Sequence, residues 1–101
     1  MTPRLTPEAR TDELLRVALR LAAADGWRTL THDGIALGAG VSRGLVIARL
    51  GTMEQVRRSV MRAAVRERCV PVVAEGLCMG SPHARKADAA LKAAAAAWVA
   101  R

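Results

Sequence analysis

Residues 31–52 of the chain read THDGIALGAGVSRGLVIARLGT, a stretch in which capping residues alternate with glycines. Thr31 can cap a short helix that ends at Gly40. Ser42 can cap a second helix that ends at Gly51, because a hydroxyl oxygen accepts hydrogen bonds from the free amides of a helix N-terminus. Two short helices joined by a tight turn form a helix-turn-helix arrangement. The pattern is only moderately specific by itself, since other helical hairpins share it.

Helix signals continue on both sides of this stretch. Thr6 can cap a first helix that ends at Gly26. Thr52 begins a fourth helix with the spacing of a capping box, and Pro71 breaks or restarts that helix because its ring clashes with the preceding turn. A short helical piece over residues 72–79 is predicted to follow.

The C-terminal segment is rich in alanine and is predicted to be helical from residues 80–82 to its end. Four apolar residues follow one another there at steps of four, three and four, which places them on one helix face. They are Ala87, Leu91, Ala94 and Trp98. We expect this face to form a homodimer interface with Trp98 as its anchor. The alternative is that the face folds back on the fourth helix, and the two do not exclude each other.

The length and composition favour a small helical fold. A chain of 101 residues has the size of one domain with at most a helical extension. Alanine accounts for 21 residues, phenylalanine and tyrosine are absent, and the two aromatic residues are Trp27 and Trp98. Small and aliphatic side chains suit close helix packing, whereas sandwiches and barrels need β-branched and aromatic residues. The predicted fold is all-α, with about five to six helices and with Trp27 in the core at the turn between the first two.

The charge of the chain points to a polyanionic partner. Sixteen basic residues stand against nine acidic ones, the net charge is +7, and fourteen of the basic residues are arginine. Arginine presents a planar fork that matches phosphates and guanine edges. Proteins that bind single strands or RNA stack bases on aromatic side chains, which are nearly absent here. The composition therefore favours double-stranded DNA.

The sequence lacks the motifs of metal-binding proteins, enzymes and membrane or exported proteins. Cys69 and Cys78 have no CxxC partner and His32 and His83 lie far apart, so we expect no metal and no cofactor. No paired carboxylates, activated nucleophile or phosphate loop points to an enzyme. No apolar run approaches the ~20 residues that span a bilayer, and no export signal is visible. We expect a cytoplasmic protein with no membrane partner.

The string from Leu14 to Val56 resembles the DNA-binding domain of TetR-type repressors, and the resemblance covers roughly the first 65 residues. The matching positions are Gly26, Leu30, Thr31, Ile35, Ala36, Ala39, Gly40, Val41, Ser42, Gly51, Thr52 and Glu54. The resemblance implies a helix-turn-helix DNA-binding domain over residues 1–68 and a C-terminal helical dimerisation segment over residues 69–101. It also implies a homodimeric transcriptional repressor that binds an inverted-repeat operator overlapping a promoter.

Proteins of this family usually carry a larger C-terminal domain that binds an inducer. Only about 30 residues follow the predicted fourth helix here, too few to enclose a drug-sized pocket of about 300 Å³ or more. We therefore expect a repressor without a small-molecule ligand. In size and plan the chain is similar to short plasmid-borne repressors of the KorC kind.

The chain departs from the family pattern where the family contacts phosphates. The aromatic pair and the histidine late in the recognition helix are replaced by Ile47, Ala48 and Arg49, and the lysine that opens the fourth helix is absent. We expect Arg49, Arg57 or Arg58 to contact the DNA backbone in place of the family's residues.

The third predicted helix carries the side chains expected to read DNA. Arg43 can pair bidentately with guanine, and no acidic residue lies near it in sequence. Gly44 lets the backbone approach the bases, while Thr31 and His32 would face a flanking phosphate. Simpler interpretations stay open, in which Ser42 is an N-cap only, Gly44 is neutral and His32 is a solvated residue of the cap turn. The expected DNA-binding residues are Thr31, His32, Ser42, Arg43, Gly44, Leu45, Ile47, Ala48, Arg49 and Arg57.

A second class of function remains compatible with the sequence. A helical interaction module, such as an antitoxin or adaptor, could use the same arginines to bind an acidic protein. A steep salt dependence together with a footprint on an inverted repeat would separate a repressor from such a module.

Overall fold

Capping hydrogen bonds define the helix ends in the computed structural model, which describes residues 5–101. The elements in chain order are α1 (Pro7–Asp25), α2 (His32–Ala39), α3 (Arg43–Leu50), α4 (Met53–Arg66), α5 (Val70–Cys78), a 3-10 turn (Ala84–Lys86) and α6 (Ala89–Ala100). The described part of the chain contains no strand, so the all-α prediction is confirmed, and its six α-helices agree with the predicted number. No helix within this part is long and apolar enough to cross a membrane.

The predicted N-caps are present at the first four helices. The hydroxyl oxygens of Thr6, Thr31, Ser42 and Thr52 each accept a hydrogen bond from the amide three positions on, at 2.9–3.2 Å. Gln55 completes the capping box of α4, because its side-chain oxygen accepts from the amide of Thr52 at 2.9 Å. Between α2 and α3, Gly40 adopts the left-handed conformation (φ +69°) that glycine tolerates best, and this makes the turn tight.

One continuous cluster of buried side chains joins all six helices. It includes residues from both 1–68 and 69–101, so α5 packs directly on α1 and α4, and α6 packs on α5. Gly76 permits the close approach of α5. A Cβ atom at that position would collide with Met61 and lie 2.9 Å from the Cβ of Ala84.

The C-terminal segment is not one continuous helix, and that prediction is wrong. The chain makes a single 3-10 turn, becomes extended at Ala87 (φ −61°, ψ +148°) and enters α6 only after Asp88. The carboxylate of Asp88 caps α6 by accepting from the amide of Leu91 at 2.8 Å. Aspartate favours the N-cap over the helix interior, so it interrupts the alanine-rich helix signal. Ala87 therefore does not share a helix face with Leu91.

A charged pair links the end of α4 to the start of α6. Arg68 has a left-handed backbone (φ +57°), and its guanidinium donates to both carboxylate oxygens of Asp88 at 2.7 and 3.4 Å. The hydrogen bond from Arg68, followed by that from the amide of Leu91, lowers the pKa of Asp88 to about 2. Because the folded-state pKa lies below the ordinary value of 3.8, the pair contributes fully above that pH and is lost as the pH falls towards 2.

Candidate nucleic-acid interface

Helix α3 buries one side and exposes the other. Val46 and Leu50 are buried and hold the helix to the core. The solvent-exposed residues of this helix and its cap, called here the exposed face of α3, are Ser42, Arg43, Gly44, Ile47, Ala48 and Arg49. Six of the ten residues expected to bind DNA are thus exposed on this short segment. This surface combines a helix N-terminus, two arginines and an exposed isoleucine.

Arg43 has an acidic neighbour that the sequence did not indicate. Its Nε atom lies 3.4 Å from Oδ1 of Asp33, ten positions earlier, so the lack of an acidic residue close to Arg43 in sequence does not extend to its surroundings in the fold. Both side chains are mostly exposed, at 62% and 80%, and surface pairs of this kind contribute about 0 to 1 kcal/mol. The contact places the first turn of α2 beside the first turn of α3. A ligand that offers better acceptors can displace Asp33.

His32 has a structural role at the start of α2. Its Nε2 atom donates to the backbone carbonyl of Gly51 at 2.8 Å, and the ring is half-buried. The interpretation of His32 as a solvated cap residue is therefore wrong. The bond ties the N-terminus of α2 to the turn between α3 and α4. Thr31, which precedes it, is exposed and uses its hydroxyl to cap α2.

Leu45 and Arg57, which were also expected to bind DNA, are less accessible. Both are half-buried, Leu45 on α3 and Arg57 on α4. The backbone carbonyl of Arg57 accepts from the indole Nε1 of Trp27 at 3.0 Å. Trp27 itself packs against the core at the turn after α1, as predicted.

Sequence reasoning missed Glu75, which holds that turn in place from α5. Its carboxylate accepts hydrogen bonds from the backbone amides of Trp27 and Arg28 at 2.7 and 2.9 Å. The Nε atom of Arg28 adds a third contact at 3.3 Å. No local signal could have found this interaction, since the partners are 47 and 48 positions apart. Glu75 thus connects the C-terminal segment to the helices that present α3.

Metal-ligating side chains do not cluster in the described part of the chain. Across residues 5–101, no three His, Cys, Asp or Glu side chains come together as a metal site. Cys69 is half-buried and Cys78 is exposed, and both are free thiols. No protein family, curated protein or solved structure matches the chain.

Proposed function

We propose that the protein is a sequence-specific DNA-binding transcriptional repressor of the TetR-like helix-turn-helix type. It acts in the cytoplasm as a homodimer on an inverted-repeat operator and needs no small-molecule inducer. The observation that supports this proposal is the exposed face of α3, a short capped helix that presents two arginines and an isoleucine to solvent. The net charge of +7 supplies the attraction to a polyanion.

Each group on this face has a chemical counterpart in the major groove. Arg43 contacts Asp33 through Nε at 3.4 Å, and its guanidinium fork suits the O6 and N7 acceptors of guanine. Ile47 is 40% exposed and can contact a thymine methyl group. Arg49 lies in the last turn of α3, and we propose that its guanidinium binds the phosphate backbone. The amides at the start of α3 and the hydroxyls of the two caps add phosphate donors.

Dimerisation rests on a smaller part of α6 than the sequence indicated. Ala87 and Leu91 are buried inside a single chain, so these two residues pack against their own core and are not available to a partner. Ala94 is exposed, Trp98 is 38% exposed, and Val99 beside it is 56% exposed. We propose that Ala94, Trp98 and Val99 form the partner surface. A two-fold pair would set two recognition helices about 34 Å apart, which matches half-sites one helical turn distant.

The first test replaces Arg43 by alanine in the full chain. Operators are selected from a random duplex pool, and affinities are measured against single-base variants. We expect Arg43→Ala to lose about 1 to 3 kcal/mol of discrimination at one base pair per half-site while the fold stays intact, because the side chain is exposed. Asp33→Asn is the matched control, since it removes the ion pair but keeps the arginine, and it should retain the preference. Unchanged discrimination in Arg43→Ala contradicts the assignment, and no salt-dependent duplex binding at all favours an acidic protein partner.

A second test replaces Gly44 by alanine, because the fold leaves room for a side chain at this position. A Cβ atom there would meet only the hydroxyl of Ser42, at 3.9 Å. Since glycine within a helix costs about 0.5 to 1 kcal/mol relative to alanine, Gly44→Ala should raise the free energy of unfolding in urea by about 0.5 kcal/mol. We expect the same variant to bind its operator more weakly, because the added methyl group keeps the backbone away from the bases. A variant that is more stable and binds equally well would show that Gly44 is neutral.

A further inference from the structure

A basic groove lies beside the exposed face of α3. It runs from the last turn of α3 along α4 to the residues before the 3-10 turn and has a volume of about 650 Å³. The groove is open to solvent, and no carboxylate lines it in the part of the chain that the structure describes. Its polar lining residues are Arg49, Gln55, Arg58, Ser59, Arg62 and His83.

The positive charge of this groove is poorly balanced. Arg58 has one partner, Glu54, at 3.5 Å, and Glu54 is 82% exposed, so the pair is weak. Arg49 and Arg62 form no ion pair with any residue between 5 and 101. The pKa of His83 is lowered, first by partial burial and then by the cations of Arg62, Lys86 and Arg58. The imidazole therefore stays neutral to lower pH, because partial burial and then the three nearby cations disfavour its protonated form.

We propose that this groove is a binding site for phosphate groups, held by Arg49, Arg58 and Arg62, with His83 as a fourth donor. Guanidinium forks match phosphate oxygens bidentately. Neutral donors lie between them, namely the hydroxyl of Ser59 and the amide nitrogen of Gln55, whose oxygen is engaged at the cap of α4. A bound phosphate supplies the missing negative charge and favours the protonated imidazole. The site extends the phosphate contact proposed for Arg49, because Arg62 and His83 lie outside the exposed face of α3 and phosphate binding needs no base recognition.

The phosphate could come from a DNA backbone or from a free phosphorylated compound. Inorganic pyrophosphate tests the shared chemistry, because it carries the charge without bases. The chain has two histidines, so imidazole NMR signals report on His83 directly, and a His83→Asn variant assigns the signal. We expect pyrophosphate to move the His83 signal and to raise its pKa, whereas chloride at equal ionic strength has no such effect.

Arg62→Gln should weaken pyrophosphate binding about tenfold, as expected for the loss of a charge-assisted hydrogen bond. Arg66→Gln is the matched control, because it makes the same change on α4 in a residue that lines a different groove, between α1 and α4. An equal response to chloride, or an equal loss in both variants, overturns the proposal.

A duplex then identifies the source of the phosphate. If DNA moves the His83 signal and Arg62→Gln lowers the salt slope of binding by about one, the groove holds a backbone phosphate. If DNA leaves the signal unchanged while pyrophosphate moves it, the groove serves a free phosphorylated compound. Pyrophosphate binding without any operator binding would support the groove and contradict the proposed repressor function alone.

Discussion

Glu75→Ala is expected to lower the free energy of unfolding by about 3 kcal/mol, a large part of the roughly 5 to 15 kcal/mol typical of a small domain. The carboxylate accepts two backbone amides of the turn between α1 and α2, and its side chain is only 22% exposed. Hydrogen bonds to charged groups contribute about 1.5 to 3 kcal/mol, and the half-buried amide of Trp27, left without its acceptor, adds a desolvation cost. Urea unfolding followed by circular dichroism measures the change.

Two further variants isolate the backbone contacts of Glu75. Glu75→Gln keeps one acceptor oxygen and should lose about half as much stability, because an amide nitrogen then faces one of the two N–H groups. Arg28→Ala removes only the side-chain contact of a residue that is 64% exposed, and it should cost less than about 1 kcal/mol. Equal losses in Glu75→Ala and Arg28→Ala would mean that water replaces the carboxylate at both amides.

Trp98→Asp is expected to produce a monomer and to cause the largest loss of operator affinity. A tryptophan that is exposed in the single chain and buried at the centre of an interface acts as a hot spot. The dissociation constant of the dimer should therefore rise at least about thirtyfold. Operator binding should fall further still, because two half-sites are no longer engaged together. Analytical ultracentrifugation at micromolar concentration measures the mass, and unfolding in urea shows that the single chain remains folded.

Ala93→Asp is the control for the dimer prediction. It introduces the same charge on an exposed position of α6, about 140° around the helix from Trp98, and should leave the dimer intact. If the Trp98→Asp protein remains dimeric, the partner surface lies elsewhere on the molecule. Deleting the residues after Pro82 would not isolate the partner surface, since it would also remove Leu91 and Ala95 from the core.

The parts of the fold that the sequence predicted are those determined locally. An N-cap such as Ser42 acts over three residues, and a glycine such as Gly40 ends a helix through its own backbone conformation. These signals predicted α2 and α3 and, with them, the exposed face of α3. The burial of Val46 and Leu50 follows from the same helical periodicity.

Interactions between distant residues escaped prediction. Neither the contact of Asp33 with Arg43 nor the bonds from Glu75 to the α1–α2 turn have a periodic signature. The break before α6 was missed for a different reason, because an alanine-rich segment favours a helix at every position. The signal was nevertheless present in Asp88, a strong N-cap residue that also finds a cation in Arg68.

The continuous core also limits how this protein can be engineered. Joining residues 1–68 to another dimerisation element would leave Met61 without the close contact of Gly76 and the α1–α2 turn without the carboxylate of Glu75. Such a chimera would expose apolar surface and leave backbone amides without acceptors, a combination that promotes aggregation. If the exposed face of α3 reads DNA as proposed, a new specificity is better obtained by changing its side chains and retaining the rest of the chain as a single scaffold.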